Sequence, residues 1–117
     1  MLQKTPDRVR ILSEFADYMD RLPPEKLIYE KWCGCIAGHA IKQFGSDEDR
    51  AQLARGAYYM RQVGGESPLW PFETAKELLH LTKDEAWNLF VRRYDTFGSY
   101  DIKPKMAAAK LRELMFV

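Results

Sequence analysis

The clearest hydrophobic pattern lies near the start of the chain. Apolar side chains recur there at three- and four-residue spacing, which places them on one face of an α-helix. They are Leu12, Phe15, Ala16, Met19 and Leu22. Thr5 is a candidate N-cap and Pro6 suits the first helical position, whereas Pro23 and Pro24 cannot continue a helix. The pattern therefore predicts a helix that begins at Pro6 and ends before Pro23.

Further helices are predicted from capping residues and apolar spacing. The run CIAGHAIKQF, which begins at Cys35, is predicted to be a helix that Gly45 ends. Ser46 opens the next helix, whose first turn is acidic. The segment ETAKELLHL is long enough for about two turns. Thr82 and Glu85 then have the spacing of a capping box, so we predict that they start a helix over KDEAWNLFVRRY.

The remaining segments carry turn signals or are ambiguous. EKLIYEKW, residues 25–32, is too short to distinguish a helix from extended chain. ESPLWPF, residues 66–72, is predicted to be a proline-bracketed aromatic loop, and DTFGSYDIKP a second loop. Pro104 can seat the first turn of a last helix. Since no run alternates cleanly enough for a strand, we predict a single all-α domain, 1–117, of five or six short helices.

Length and composition are consistent with one apolar core. The chain has 117 residues, of which 46% are hydrophobic and 30% charged, and a domain of this size can bury a core without disulfides or metals. The predicted core consists of Phe15, Met19, Ile36, Tyr58, Leu79, Trp87, Phe90, Leu111 and Leu114.

Charge narrows the classes of partner. The 18 basic and 17 acidic residues give a net charge of +1, which provides no broad field to attract nucleic acid. LTKDEAWNLFVRR has the start of a helix-turn-helix recognition helix, but Asp84 and Glu85 would face the phosphates, so DNA binding is disfavoured. No apolar run reaches the roughly 20 residues that span a bilayer, and the N-terminal segment lacks the apolar core of a signal peptide. We expect a cytoplasmic protein without membrane contact.

Reactive residue types concentrate in EKWCGCIAGHAIKQF, residues 30–44. Cys33, Cys35 and His39 are zinc-ligand types, although C-x-C-x3-H matches no standard finger. Cys35 and His39 could also form a nucleophile and base, but no orienting third group or oxyanion motif accompanies them. The interleaved glycine and alanine residues favour a third interpretation, close packing of another helix or a ring. We favour packing and expect no metal and no other cofactor.

Two stretches of the chain resemble a known group of proteins. WCGCIAGHA (32–40) and AKELLHLTKDEAWNLF (75–90), followed by a closing Ala- and Leu-rich helix, are similar to small, largely uncharacterised bacterial and phage proteins. In that group a tryptophan and a C-G-T-x-x-C-I-A-G-x-A stretch precede an L-L-G-L-T-x-x-x-A-x-x-L-F helix pair. The present chain lacks the threonine and the two residues before the second cysteine. The resemblance implies an all-helical protein and supplies no activity.

These features predict a non-catalytic binding protein. It would capture an anionic, nucleotide-like small molecule or block a partner protein; the alternatives are a Cys/His-dependent enzyme and a helix-turn-helix-like DNA-binding protein. For the small molecule, the turn at Trp32, Gly34 and Cys35 offers a ring and unpaired N–H groups at a helix start. An arginine would add a charge-assisted contact to phosphate. The candidates are Arg55, Arg61, Arg92 and Arg93.

Self-association is also expected from the sequence. Leu69, Trp70 and Phe72 fall in the predicted aromatic loop, and a short loop cannot direct all three side chains into the core. Apolar area that remains exposed on a small protein is often covered by a symmetric contact. We therefore expect a homodimer.

Overall fold

The computed structural model describes residues 6–28, 35–56, 70–98 and 101–116, and 78% of them are helical. A short 3₁₀ turn, Pro24–Lys26, follows the first helix. The α-helices are α1 (Pro6–Arg21), α2 (Ile36–Phe44), α3 (Asp47–Gly56), α4 (Trp70–Leu78), α5 (Lys83–Phe90), α6 (Arg93–Phe97) and α7 (Pro104–Leu114). No strand occurs within these ranges, so the all-α prediction is confirmed.

The first and last helices form the most extensive helix–helix contact. Four residues of the stripe predicted on α1 are completely buried, and Leu22 packs at the edge of the core. On α7, Ala107 and Ala108 are also buried, and their small side chains let the two helices approach closely. At the surface, Arg112 of α7 binds Asp17 and Asp20 of α1 and links the same pair of helices.

Helix α2 lies in the centre of the fold and packs against α4. Every residue from Cys35 to Ile41 is buried, as the small-residue interpretation of this stretch requires. Gly45 is the C-cap of this helix, and a larger residue does not fit there because its Cβ atom would lie 2.6 Å from the Ile41 carbonyl oxygen. Ser46 then caps α3: the Asp49 N–H donates to Ser46 Oγ, and the Ser46 N–H donates back to the Asp49 carboxylate.

Most of the predicted core is buried in the structure. Phe15, Met19, Ile36, Leu79, Phe90 and Leu111 are completely buried, whereas Leu114 is only partly so. Tyr58 lies outside the described residues. The prediction for Trp87 is wrong, because its side chain is 47% exposed. Helix α5 turns Ala86, Leu89 and Phe90 inward, which leaves Trp87 on its solvent side.

Two boundaries also differ from the sequence prediction. Trp70–Phe72 is the first turn of α4 and not a loop, since Pro71 fits the start of a helix. Phe72 is buried there and Trp70 packs partly against the core, while Leu69 lies outside the described residues. The helix predicted over residues 83–94 breaks after Phe90 and resumes as the short α6. None of the described helices is long and apolar enough to cross a membrane.

Candidate functional site

A buried arginine holds three parts of the fold together. Arg8 of α1 is only 2% exposed, and its Nη1 donates to the His80 carbonyl oxygen at 2.7 Å. Both terminal nitrogens donate to the Glu85 carboxylate, at 2.8 and 2.7 Å. Nη2 also donates to the Leu114 carbonyl oxygen at 3.0 Å. The guanidinium therefore connects α1 to the turn between α4 and α5, to α5 itself and to the end of α7.

Glu85 uses the same carboxylate to cap its own helix. Thr82 N–H donates to Glu85 Oε1 at 2.9 Å, and Glu85 N–H donates to Thr82 Oγ1 at 3.1 Å, so the predicted capping box is confirmed. Burial alone would raise the pKa of Glu85, but the hydrogen bonds from Arg8 and Thr82 outweigh it and lower the pKa. The Glu85 carboxylate is thus paired and directed inward. Of the two adjacent acids Asp84 and Glu85, Asp84 is the one that is exposed to solvent.

The turn that joins α4 to α5 is a Schellman motif. His80 has a positive φ of 56°, its N–H donates to the Glu77 carbonyl oxygen, and Leu81 N–H donates to that of Lys76. Leu81 is buried and completes the hydrophobic contact that such motifs carry. This turn sets α5 at a fixed orientation to α4, in the order helix, tight turn, capped helix.

The solvent side of α5 carries apolar side chains. Trp87 and Val91, one turn apart, are 47% and 39% exposed. The Trp87 ring packs edge-on against Phe72, with centroids 6.1 Å apart, so the indole has a fixed neighbour on one side and solvent on the other. Three polar residues of α5 are exposed around this pair. We call these five residues the outer face of α5: Lys83, Asp84, Trp87, Asn88 and Val91.

A groove of about 390 Å³ adjoins this face, between α5, α6 and α7. It is lined by Glu85, Asn88, Leu89, Arg92, Asp95, Thr96, Lys110 and Leu114. Arg92 Nε and Nη2 both donate to Asp95 Oδ2, at 3.1 and 2.7 Å, and Lys110 pairs with Glu113 at 2.8 Å. Arg92 and Lys110 thus each have an acid beside them, and none of the lining residues that the structure describes is aromatic.

The cysteine stretch contributes a buried thiol to the described structure. Cys35 is 1% exposed at the start of α2, and its carbonyl oxygen accepts from the His39 N–H. Trp32, Cys33 and Gly34 lie outside the described residues. A thiol shielded to this degree is poorly placed to attack a substrate in solution.

His39 links three elements inside the core. Its Nε2 lies 2.7 Å from the Lys26 carbonyl oxygen and must donate, because a carbonyl can only accept. The other ring nitrogen, Nδ1, forms a hydrogen bond with the Tyr18 hydroxyl, also at 2.7 Å. Burial raises the pKa of Tyr18, which keeps the phenol protonated. Within the described ranges, no three His, Cys, Asp or Glu side chains come together in a way that could hold a metal ion.

The predicted arginines are distributed over different surfaces. Arg92 lines the groove, where Cys35 does not, and Arg55 is exposed on α3. Arg61 and the side chain of Arg93 lie outside what the structure describes. Sequence reasoning did not identify Arg8, although a signal existed: Arg8 stands four residues before Leu12 and so continues the apolar stripe of α1.

Comparisons with protein-family models, curated proteins and solved structures found no significant match. The resemblance of residues 32–40 and 75–90 to small bacterial and phage proteins therefore stays a prediction. The two sides of α5 differ in their surroundings: Arg8 binds Glu85 on the inner side, whereas Trp87 is about half exposed on the outer face.

Proposed function

We propose that the protein is a non-catalytic binding protein that acts by contacting another protein chain through the outer face of α5. The observation that carries this proposal is Trp87, about half exposed at the centre of that face. Tryptophan is the residue type most enriched among those that dominate the energy of protein interfaces. Because Phe72 already holds one side of the ring, little conformational freedom remains to be lost on binding.

The same geometry gives less support to capture of an anionic small molecule. Arg92, a candidate arginine that lines the groove, already donates twice to Asp95. A nucleotide-like ligand also requires an aromatic ring to stack on its base, and the described residues that line the groove include none. The Cys/His enzyme is weakened as well, because His39 uses both ring nitrogens within the core.

DNA binding is the second candidate, favoured by the helix-turn-helix order of α4 and α5. The bidentate pairing of Glu85 with Arg8 removes one of the two acids that disfavour it. The outer face nevertheless carries one base, Lys83, and one acid, Asp84, around an apolar centre. Nucleic-acid surfaces need an excess of positive charge, so a protein partner fits this face better.

Site-specific photo-cross-linking tests the proposal. A photoreactive phenylalanine replaces Asn88, which is exposed beside Trp87, and a matched control carries it at Gln52, exposed on α3. In cells that produce the protein, we expect the position 88 variant to form a covalent adduct with a protein, and Trp87→Ala to abolish that adduct. The position 52 variant should form no such adduct.

Two results would contradict the proposal. One is an adduct with nucleic acid and none with protein, which would favour the DNA-binding candidate. The other is the absence of any adduct that depends on both position 88 and Trp87, since the outer face would then contact no macromolecule. Far-UV circular dichroism of each purified variant confirms that the fold is intact.

A further inference from the structure

We propose that Arg8 is a positioning residue for the outer face of α5, because its guanidinium sets the orientation in which that helix presents Trp87 to a partner. The inference rests on the proposed function, which makes the outer face a protein contact. Arg8 is only 2% exposed and cannot itself touch a partner, so it acts through α5. Binding at the outer face thus depends on a residue of α1 that is not part of that face.

Packing leaves α5 loosely held on the side of α7. The extensive contacts of α5 are with α6, α4 and α2, whereas α1 and α7 pack mainly against each other. The groove of about 390 Å³ lies between α5, α6 and α7, so side chains do not fill the space that separates α5 from α7. Interlocking side chains normally fix the angle between two helices. Across this groove, another kind of contact has to do so.

Arg8 supplies that contact. Glu85 of α5 and Leu114 of α7 both line the groove, and Arg8 Nη2 donates to the Glu85 carboxylate at 2.7 Å and to the Leu114 carbonyl oxygen at 3.0 Å. Nη1 donates to the second Glu85 oxygen and to the His80 carbonyl oxygen in the turn before α5. A planar guanidinium fixes the directions of its bonds as well as their lengths. The start of α5 is therefore held at one angle to α1 and α7.

The orientation of α5 decides how Trp87 is presented. Glu85 and Trp87 are two residues apart on a helix of eight residues, so a rotation that moves one side chain moves the other. Without the Arg8 bonds, α5 is free to turn towards the groove, which would draw the Trp87 ring away from Phe72. Residues that act on a binding site through the packing of the fold typically change affinity by about 3- to 30-fold.

A double variant removes these bonds and leaves no buried charge alone. In Arg8→Met with Glu85→Gln, an apolar side chain of similar length replaces the arginine, and such exchanges of buried ion pairs often cost little stability. Glutamine can still complete the capping box with Thr82. The matched control is Leu53→Ala, which leaves a cavity on α3, a helix that packs against α2. Circular dichroism identifies a temperature at which all the variants are folded.

The first measurement is the distance between two spin labels, which needs no partner. Ketone-bearing amino acids that accept the labels replace Asn88 on α5 and Ala109 on α7, both exposed. Double electron–electron resonance should give the same narrow distance distribution in the otherwise wild-type chain and in Leu53→Ala. In the double variant we expect a displaced and broadened distribution, because α5 is no longer held by Arg8.

The second measurement is the yield of the position 88 photo-adduct per molecule of folded protein. We expect this yield to fall by about 3- to 30-fold in the double variant and to stay unchanged in Leu53→Ala. Equal losses in both would overturn the proposal, since lower stability alone would then explain them. A distance distribution that the double variant shares with the wild type would also overturn it. If the wild-type chain forms no adduct, the proposed function is wrong, and the distance measurement still decides whether Arg8 orients α5.

Discussion

Helix α5 presents two aromatic residues to the same neighbour with opposite outcomes. Phe90 and Trp87 both pack edge-on against Phe72, at centroid distances of 5.8 and 6.1 Å. Phe90 is 2% exposed and Trp87 is 47% exposed. The inner side of the helix is closed by the core and by the Arg8–Glu85 pair, whereas Trp87 and Val91 on the outer face are partly open to solvent. Burial here follows from where the neighbouring helices lie and not from residue type.

The largest expected effect is a difference in the free energy of unfolding between variants that lack the Phe90 ring and variants that lack the Trp87 ring. Phe90→Ala should lower the free energy of unfolding by about 3–5 kcal/mol, because it leaves a cavity in a packed core. Trp87→Ala should lower it by only about 1 kcal/mol, the scale of one aromatic pair on a half-exposed residue. Urea unfolding of both variants provides the measurement. Equal losses would mean that the two sides of α5 do not differ as described.

Arg8 and Arg10 provide a matched pair on α1. Arg8→Ala should cost about 3 kcal/mol, since it strands the Glu85 carboxylate and the carbonyl groups of His80 and Leu114 in a mostly buried site. Arg10 pairs with Asp7 in solvent, so Arg10→Ala should cost less than about 0.5 kcal/mol. Melting temperatures that fall by similar amounts in the two variants would refute the structural role given to Arg8.

A smaller loss of folding stability is expected at low pH. Because hydrogen bonds from Arg8 and Thr82 hold the pKa of Glu85 below its ordinary value, the ionised form stabilises the folded state. That contribution is fully present above the pKa of an unfolded glutamate and is lost as the pH falls through the lower folded-state pKa. Stability should therefore decline below about pH 4. Glu85→Gln should flatten this decline, whereas Asp95→Asn, at an exposed pair, should not.

The smallest expected effect is a gain in folding stability. His80 occupies the left-handed region at φ 56°, where glycine carries no steric penalty. His80→Gly should therefore raise the free energy of unfolding by about 0.5–1 kcal/mol, after allowance for the greater freedom of glycine in the unfolded chain. The Arg8 bond to the residue 80 carbonyl is a backbone contact and remains. A loss of stability in thermal unfolding would instead show that the His80 side chain supports the turn.

Local signals in the sequence located most of the helices. Four such signals are confirmed in the structure, because each depends only on residues close together in sequence. They are the apolar stripe on α1, the C-cap Gly45, the Thr82–Glu85 capping box and Pro104 at the start of α7. The helix boundaries were predicted wrongly where packing against neighbouring helices determines the backbone conformation. Pro71 indicated a loop but stands in the first turn of α4. The break after Phe90 has no proline or glycine to mark it.

The candidate site was less predictable, because it depends on residues far apart in sequence. Arg8 and Glu85 are 77 positions apart, and only the fold brings them together. Trp87 has a large apolar side chain of the kind that usually lies in a core. Its exposure follows from which side of α5 the other helices occupy. The functional hypothesis combined the turn at Trp32, Gly34 and Cys35 with arginines that are distant in sequence. In the described structure Cys35 is buried, whereas Arg92 lines a separate groove.

Fluorine NMR of protein labelled with 5-fluorotryptophan tests the central claim most directly. The chain has three tryptophans, and the Trp87 resonance can be assigned by its loss in Trp87→Phe. In dilute protein we predict a large solvent-isotope shift for Trp87, as its exposure requires, and a decrease of that shift when the outer face of α5 is covered at high concentration or by an added partner. A Trp87 resonance that is shielded from solvent in the dilute chain, or equally exposed in the associated protein, would contradict the account.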